Sequence, residues 1–149
     1  MIPGLALLIM GAVAWVLALP GLKIAGANFD AHTLLVGSMM IICGFLALCL
    51  GILTEAFAVS EGILPAPKGK LPGQSFLQLK PGLLLSAILF FLGFFLIAVV
   101  LFGWAADGFG PLAYARTMRL VVPGITACVL GVQLFFVVFL GSVLSLRRK

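Results

Sequence analysis

Four carboxylates and one histidine make up the acid–base complement of this 149-residue chain, alongside three cysteines. Asp30 and His32 are two apart, Asp107 stands alone, and Glu55 and Glu61 are six apart. General acid–base or metal chemistry needs such groups gathered in one place. Asp30 and Asp107 fall in different loops, so there is no DxD metal motif, and His32 has no second His or Cys at zinc-ligand spacing. Asp30 with His32 reads as a helix cap beside an interfacial imidazole. Cys43, Cys49 and Cys128 all lie in apolar runs without a C-x-x-C pair. The six-residue spacing of the first two puts them on different helix faces, and all three read as small apolar filler. No glycine-rich loop ends in Lys-Ser or Lys-Thr, and no serine sits in a G-x-S-x-G setting. The expectation is a chain with no catalytic residue, no metal and no cofactor of its own.

Two features with binding chemistry remain. Lys68, Lys70 and Lys80 lie together in the sequence, and Arg147, Arg148 and Lys149 close the chain; these are six of its nine basic residues. The others are Lys23, Arg116 and Arg119. The second feature is Gln133, the one strong hydrogen-bonding side chain deep in an apolar run. It reads as glue between helices, with a substrate contact as the alternative.

The elements that position these groups are set by hydropathy. Hydrophobic residues make up 64% of the chain and charged residues 9%, against about 25% charged in an ordinary soluble domain. Four runs carry no side-chain charge: Met1 to Leu22, Thr33 to Thr54, Pro81 to Ala106 and Leu120 to Leu146. About 20 residues of helix cross a bilayer's hydrocarbon core, so each run is long enough to span. The fold class expected is all-α integral membrane, a single domain over residues 1–149. Its spans are about 3–19, 33–60, 81–106 and 119–146, with a linker over about 61–80. Positive charge favours the cytoplasmic side. The middle linker and the C-terminus therefore face the cytoplasm, and with four spans the N-terminus does too, giving two helical hairpins in a multi-pass plasma-membrane protein. The six basic residues fix this topology, and on a second reading also hold an anionic lipid or phosphate.

Turn formers punctuate the spans. Pro3 suits a first helical turn, Pro20-Gly21 ends the first span, and Asp30 is placed to cap the second through its carboxylate. Glu55, near the end of the second span, opposes the helix dipole and calls for water, a headgroup or a cation, with Lys80 and the terminal cluster as partners. Pro65, Pro67 and Pro72 prevent the linker from being one helix, and Phe76, Leu77 and Leu79 suit an interfacial lead-in to the third span. That span is rich in Phe and closes on Trp104 at interfacial level. Pro123 falls in or near the first turn of the fourth span.

Small residues recur every seven positions: Gly4, Gly11 and Ala18; Gly37, Gly44 and Gly51; Ser86 and Gly93; Gly124 and Gly131. Each set keeps to one helix face with slow drift. In lipid, close backbone approach through small residues replaces the hydrophobic drive between helices, so these faces are expected to meet in a compact left-handed bundle. The Pro-Gly starts at Pro3-Gly4 and Pro81-Gly82, and the mid-helix Gly44 and Gly131, also suggest a duplicated hairpin.

A set of short pieces occurs in one order: Phe29-Asp30-Ala31-His32-Thr33-Leu34-Leu35, Glu61-Gly62-Ile63-Leu64-Pro65, Leu79-Lys80-Pro81-Gly82-Leu83-Leu84 and Trp104. They continue with Gly108-Phe109-Gly110-Pro111-Leu112, Arg116-Thr117-Met118-Arg119-Leu120, Gly131-Val132-Gln133 and the Ser142 to Arg147 ending. Together they cover almost the whole chain. It resembles the C-terminal membrane region of some prokaryotic family 2 glycosyltransferases, of the dolichyl- or polyprenyl-phosphate hexosyltransferase type. Leu46 departs from that pattern, standing where a second Gln would match Gln133, and the catalytic domain that normally precedes the region is missing. The resemblance implies a cytoplasmic transferase that passes a sugar from a nucleotide donor to a lipid phosphate, with the helices as platform. The chain is then expected to be a non-catalytic module that anchors such a transferase and presents polyprenyl phosphate through Lys68, Lys70, Lys80, Arg147, Arg148 and Lys149. Its partners would be the bilayer, a cytoplasmic glycosyltransferase, polyprenyl phosphate and further copies of itself; nucleic acid is not among them. A small transporter or lipid flippase, with a cavity lined by Gln133, Thr126 and Ser38, is the rival reading. A structural assembly protein that self-associates through its glycines is the third.

Overall fold

Apolar chain surrounded by lipid must satisfy its own backbone hydrogen bonds, and a helix does so within one segment. The computed structural model describes residues 2–20, 23–24, 27–28, 30–65, 79–111 and 114–146. Among them are four helices: α1 (Ile2–Ala18), α2 (Ala31–Ser60), α3 (Leu79–Ala106) and α4 (Tyr114–Leu146). Helices α2, α3 and α4 are long and apolar enough to cross a membrane. Helix α1 has the length of the expected span of about 3–19, shifted by one residue, and is short for a full crossing. Its 17 residues cover about 25 Å at 1.5 Å per residue, against a hydrocarbon core of about 30 Å. Pro20, which cannot continue a helix, lies two residues beyond its end.

Local chemistry accounts for further differences from the sequence-based boundaries. The first connection holds a small antiparallel ladder, β1 (Lys23–Ile24) against β2 (Ala27–Asn28), with Lys23 opposite Asn28 and Ile24 opposite Ala27. Asp30 does occupy the N-cap position of α2, but its side chain makes no capping bond. Its backbone carbonyl instead accepts from the N–H groups of Thr33 and Leu34, at 2.9 and 3.2 Å. Helix α4 starts five residues before Arg119, because Tyr114 to Met118 contains no glycine or proline to stop it. Pro123 is therefore its tenth residue, inside the helix instead of in the first turn, and the Arg119 carbonyl has no N–H four residues on.

Two helix ends close with the same device. After α2, Gly62 takes φ +73°, its N–H donates to the Val59 carbonyl at 3.3 Å, and the Ile63 N–H donates to Ala58 at 2.9 Å. After α3, Gly108 takes φ +67°, its N–H donates to Ala105 at 3.1 Å, and the Phe109 N–H donates to Trp104 at 3.0 Å. Both are Schellman closures, which satisfy carbonyls that a helix end leaves free.

The helices stand in a row, α1–α2–α4–α3: α1 packs on α2, α2 on α4 and α4 on α3, and among the described residues no other helix pair makes close backbone contact. This corrects the compact bundle expected from the glycine stripes. Each outer helix has one small-residue face and hence one close neighbour. In α1 and α2, Gly4 meets Gly44 and Gly11 meets Gly37. In α3 and α4, Gly93 meets Gly124, and Ser86 and Phe90 meet Gly131. Both pairs thus run antiparallel. With the inner helices' glycines turned outward, α2 and α4 meet through larger side chains, and Ala18, Leu34 and Val122 form a buried cluster flanked by Trp15 and Met118. Gly51 is only half-buried.

These approaches leave no room for a methyl group. A Cβ at Gly44 would stand 2.7 Å from the Gly4 carbonyl oxygen and the Leu8 nitrogen, both backbone atoms. At Gly103, in α3, nothing lies within 4 Å. Gly44→Ala is expected to destabilise by about 1–3 kcal/mol through overpacking, and Gly103→Ala to stabilise by up to about 1 kcal/mol through helix propensity. Thermal unfolding in detergent, followed by circular dichroism, reads both, and equal midpoints would remove the seam as the source of stability.

Candidate functional site

The polar groups of this chain cluster at the two ends of the helical row, with little between them. At the end where α2 finishes and α3 begins, Lys80 is exposed in the first turn of α3, Glu61 is exposed and Glu55 is half-buried. No ion pair joins Glu55 to Lys80, the partner expected for it. Lys68, Lys70, Arg147, Arg148 and Lys149 lie outside the described residues, as do Phe76 and Leu77. At the opposite end, Asp30, His32, Asp107 and Arg116 are exposed and Arg119 is half-buried. No group of three or more His, Cys, Asp or Glu able to hold a metal occurs among the described residues.

Between the ends, most hydroxyls bond within the protein. The Ser38 hydroxyl donates to the Leu34 carbonyl at 2.9 Å and accepts from the Trp15 indole N–H at 2.9 Å. Thr126, 1% exposed, donates to the Val122 carbonyl at 2.8 Å. Ser86 donates to Leu83 at 2.8 Å. Ser38 and Thr126 are thus engaged and buried, which argues against the transport cavity they were to line with Gln133. The Gln133 side-chain oxygen is buried without a hydrogen-bond partner among the described residues. Such a group costs about 1–3 kcal/mol when unsatisfied. Cys43 is exposed and Cys49 buried, while the Cys128 thiol faces the Phe90 carbonyl at 3.5 Å across the α3–α4 seam.

Two tryptophans hold opposite parts of the row, and only one of them stood out in the sequence. Trp104 donates its indole N–H to the Gly110 carbonyl at 2.9 Å and stacks edge-on against Phe109 with centroids 4.9 Å apart. That contact supports Phe109 at φ +59°, an uncommon region for a bulky residue. The half-buried Trp15 indole needs an acceptor, which the Ser38 hydroxyl on α2 supplies.

A concave apolar surface lies on the α3–α4 pair. It holds about 310 Å³ and is lined by Leu83, Ser86, Ala87, Phe90, Phe91, Gly131, Val132 and Phe135. Its floor is built of small residues because Ser86 and Gly131 bring the helix backbones together, and phenylalanines form its walls.

This arrangement is that of membrane-spanning helices with charged ends. The comparisons agree in kind. The family model described as the glycosyltransferase family 2 C-terminal transmembrane region matches residues 52–145. The chain is also similar to the low-salt glycan biosynthesis hexosyltransferase Agl6 of Haloferax volcanii, at 28% identity over 144 residues, which is 93% of this chain and 32% of that protein. It therefore spans about a third of the length of that curated relative. No solved structure matches it.

The indole–hydroxyl bond has a measurable weight. Trp15→Phe and Ser38→Ala should each destabilise, and the double variant should fall short of their sum by about 0.6–1.7 kcal/mol, the range for hydrogen bonds between membrane helices. A double-mutant cycle on unfolding in detergent measures it, and strict additivity would mean that the bond contributes nothing.

Proposed function

The chain belongs to the C-terminal transmembrane regions of family 2 glycosyltransferases, and from that membership we propose that it is a non-catalytic membrane module of a glycosyltransferase system. It anchors a catalytic partner at the cytoplasmic face and helps to present a polyprenyl phosphate there. In this reading α1 crosses with the other three helices as two hairpins, and both termini lie on the side of the basic linker, in the plasma membrane. Near-full-length similarity to one third of a hexosyltransferase supports the reading, because the family model that matches the chain describes a transmembrane region.

The chemistry of presentation is electrostatic. A lipid phosphate at the membrane surface is drawn by Lys68, Lys70, Lys80, Arg147, Arg148 and Lys149, each contributing about 1 kcal/mol near an anionic surface. Six such charges hold the phosphate end of a lipid close to the helix ends, where a transferase seated on this face meets it. The helix faces away from the glycine seams are apolar and exposed, and self-association through such a face would bring several copies together.

The test has two arms. Co-expressed with the catalytic domain of a family 2 glycosyltransferase from the same genome, the tagged chain should retain that domain through detergent extraction; failure to retain it removes the anchoring role. Replacing the six basic residues by Gln should weaken polyprenyl-phosphate binding at least tenfold in nanodiscs, with orientation checked by accessibility labelling. Unchanged binding in a correctly oriented variant removes the presentation role.

A further inference from the structure

We propose that this chain associates head to tail with further copies of itself, through two different faces. The open face of α4 in one copy, around Ile125, Val132 and Phe136, packs on the open face of α2 in the next, around Leu35, Met39 and Leu50. The contact repeats, between copies, the one that joins α2 to α4 within the chain. It gives the self-association raised above its two surfaces, and it stands without the anchoring role.

The chain holds two versions of one helix pair, and they meet through unlike faces. Gly37 and Gly44 of α2 face α1 as Gly124 and Gly131 of α4 face α3, so α2 and α4 can be compared position by position in that register. Beyond these seams, each of the two has the other as its neighbour among the described helices. On α4, the side away from its seam buries Val122, Thr126 and Val137, none more than 7% exposed. Their counterparts on α2 are Leu35, Met39 and Leu50, which are 46%, 59% and 55% exposed. On α2, Leu34 and Cys49 are buried. The counterpart of Leu34, Val121, is half-buried, and that of Cys49, Phe136, is exposed.

A two-fold contact would bury the same positions on both helices. Here the buried positions differ, so the contact is heterologous and takes one kind of face from each repeat. Such a contact leaves its complement unused. Helix α2 keeps open the face that α4 has buried, and α4 keeps open the face that α2 has buried. The two open faces are therefore related as the two that already meet, and a second copy is the occupant that supplies the missing half. Leu34 and Val122 meet near the start of both helices, which begin at the same end of the row. Repeating the contact keeps every copy the same way up, as one membrane requires.

The open faces also have the shape and chemistry to pack. Ile125, Val132 and Phe136 follow the i, i+7, i+11 spacing that keeps residues on one helix face, and Val132 lines the trough on the α3–α4 pair. The side chains are larger than their counterparts in the internal contact, Met39 for Thr126 and Phe136 for Cys49, and the trough of about 310 Å³ gives them room. Leu46 is exposed on α2 where α4 buries the Gln133 oxygen without a partner. The contact between copies is thus free of that polar cost, and close packing, which drives helix association in lipid, acts alone.

Cross-linking tests the geometry. Because Leu34 meets Val122 within the chain, Val121 of one copy should meet Leu35 of the next. In a background carrying Cys43→Ala, Cys49→Ala and Cys128→Ala, chains with Val121→Cys and with Leu35→Cys, differently tagged, are co-expressed, reconstituted in phosphatidylcholine liposomes and oxidised. The mixed dimer should dominate over both like dimers and persist as the protein is diluted in lipid. Val99→Cys, on an exposed part of α3, replaces Leu35→Cys to mark the level of chance collision. Met39→Trp added to the Leu35→Cys chain should lower the mixed dimer about tenfold and leave the unfolding midpoint unchanged, since Met39 lies outside the internal contact; Phe136→Ala on the other chain is the second variant should Met39→Trp not fold. Like dimers in excess would mean a two-fold association and overturn the proposal. A mixed dimer at the collision level, or one that falls in proportion to dilution, would mean that lipid covers both faces and overturn it too. Retention of a catalytic domain in detergent is measured separately, and none of these outcomes decides it.

Discussion

Contact between helix backbones at positions without a side chain is the interaction on which this structure rests. Lipid tails are as apolar as leucine, so burying leucine against leucine drives little association in a membrane. What remains is dispersion at close range, and that is strong only where backbones touch. Gly11 against Gly37, Gly44 against Gly4, and Gly93 against Gly124 provide such places. The same requirement limits each outer helix to one close neighbour, because α1 and α3 each carry a single small-residue face. A row follows, and so does the groove: the approach of Ser86 to Gly131 draws two helices together below their phenylalanines and leaves a trough between the rings.

The second constraint is the backbone at the helix ends. Free carbonyls there are costly beside lipid, and the chain closes two ends with a left-handed glycine, Gly62 and Gly108. At the end of α3 the closure also recruits tryptophan, whose ring packs on Phe109 and whose N–H reaches Gly110. Trp15 joins α1 to α2 through Ser38 at the level where Leu34 and Val122 meet. Indole–hydroxyl bonding and apolar packing therefore coincide where α2 touches α4.

Function enters where these two constraints leave something over. The buried hydroxyls of the helical row bond within the protein, the family match covers α3 and nearly all of α4, and six of the nine basic residues lie in the linker and at the C-terminus. Gln133 is the exception within the interior. The two helix pairs repeat each other, Gly37 and Gly44 in α2 answering Gly124 and Gly131 in α4, and in that register Gln133 answers Leu46. Leu46 is exposed, whereas the Gln133 side-chain oxygen is buried. The repeat is broken at the position where Gln133 stands.

The sequence by itself determined the medium, the helices and the seven-residue recurrence of small residues, since hydropathy and backbone hydrogen bonding act within single segments of about 20 residues. It also located Trp104 near the end of the third apolar helix, because the end of an apolar run is a local feature. It did not place the start of α4, where propensity carried the helix through Tyr114 to Met118 and left Pro123 inside. Nor did it tell which stripe would meet which, that the result would be a row, that Trp15 would find Ser38, or that an apolar trough would open on the α3–α4 pair. Those are decided by close approach between residues far apart in the chain, and the shape of a glycine contact depends on its partner as much as on itself.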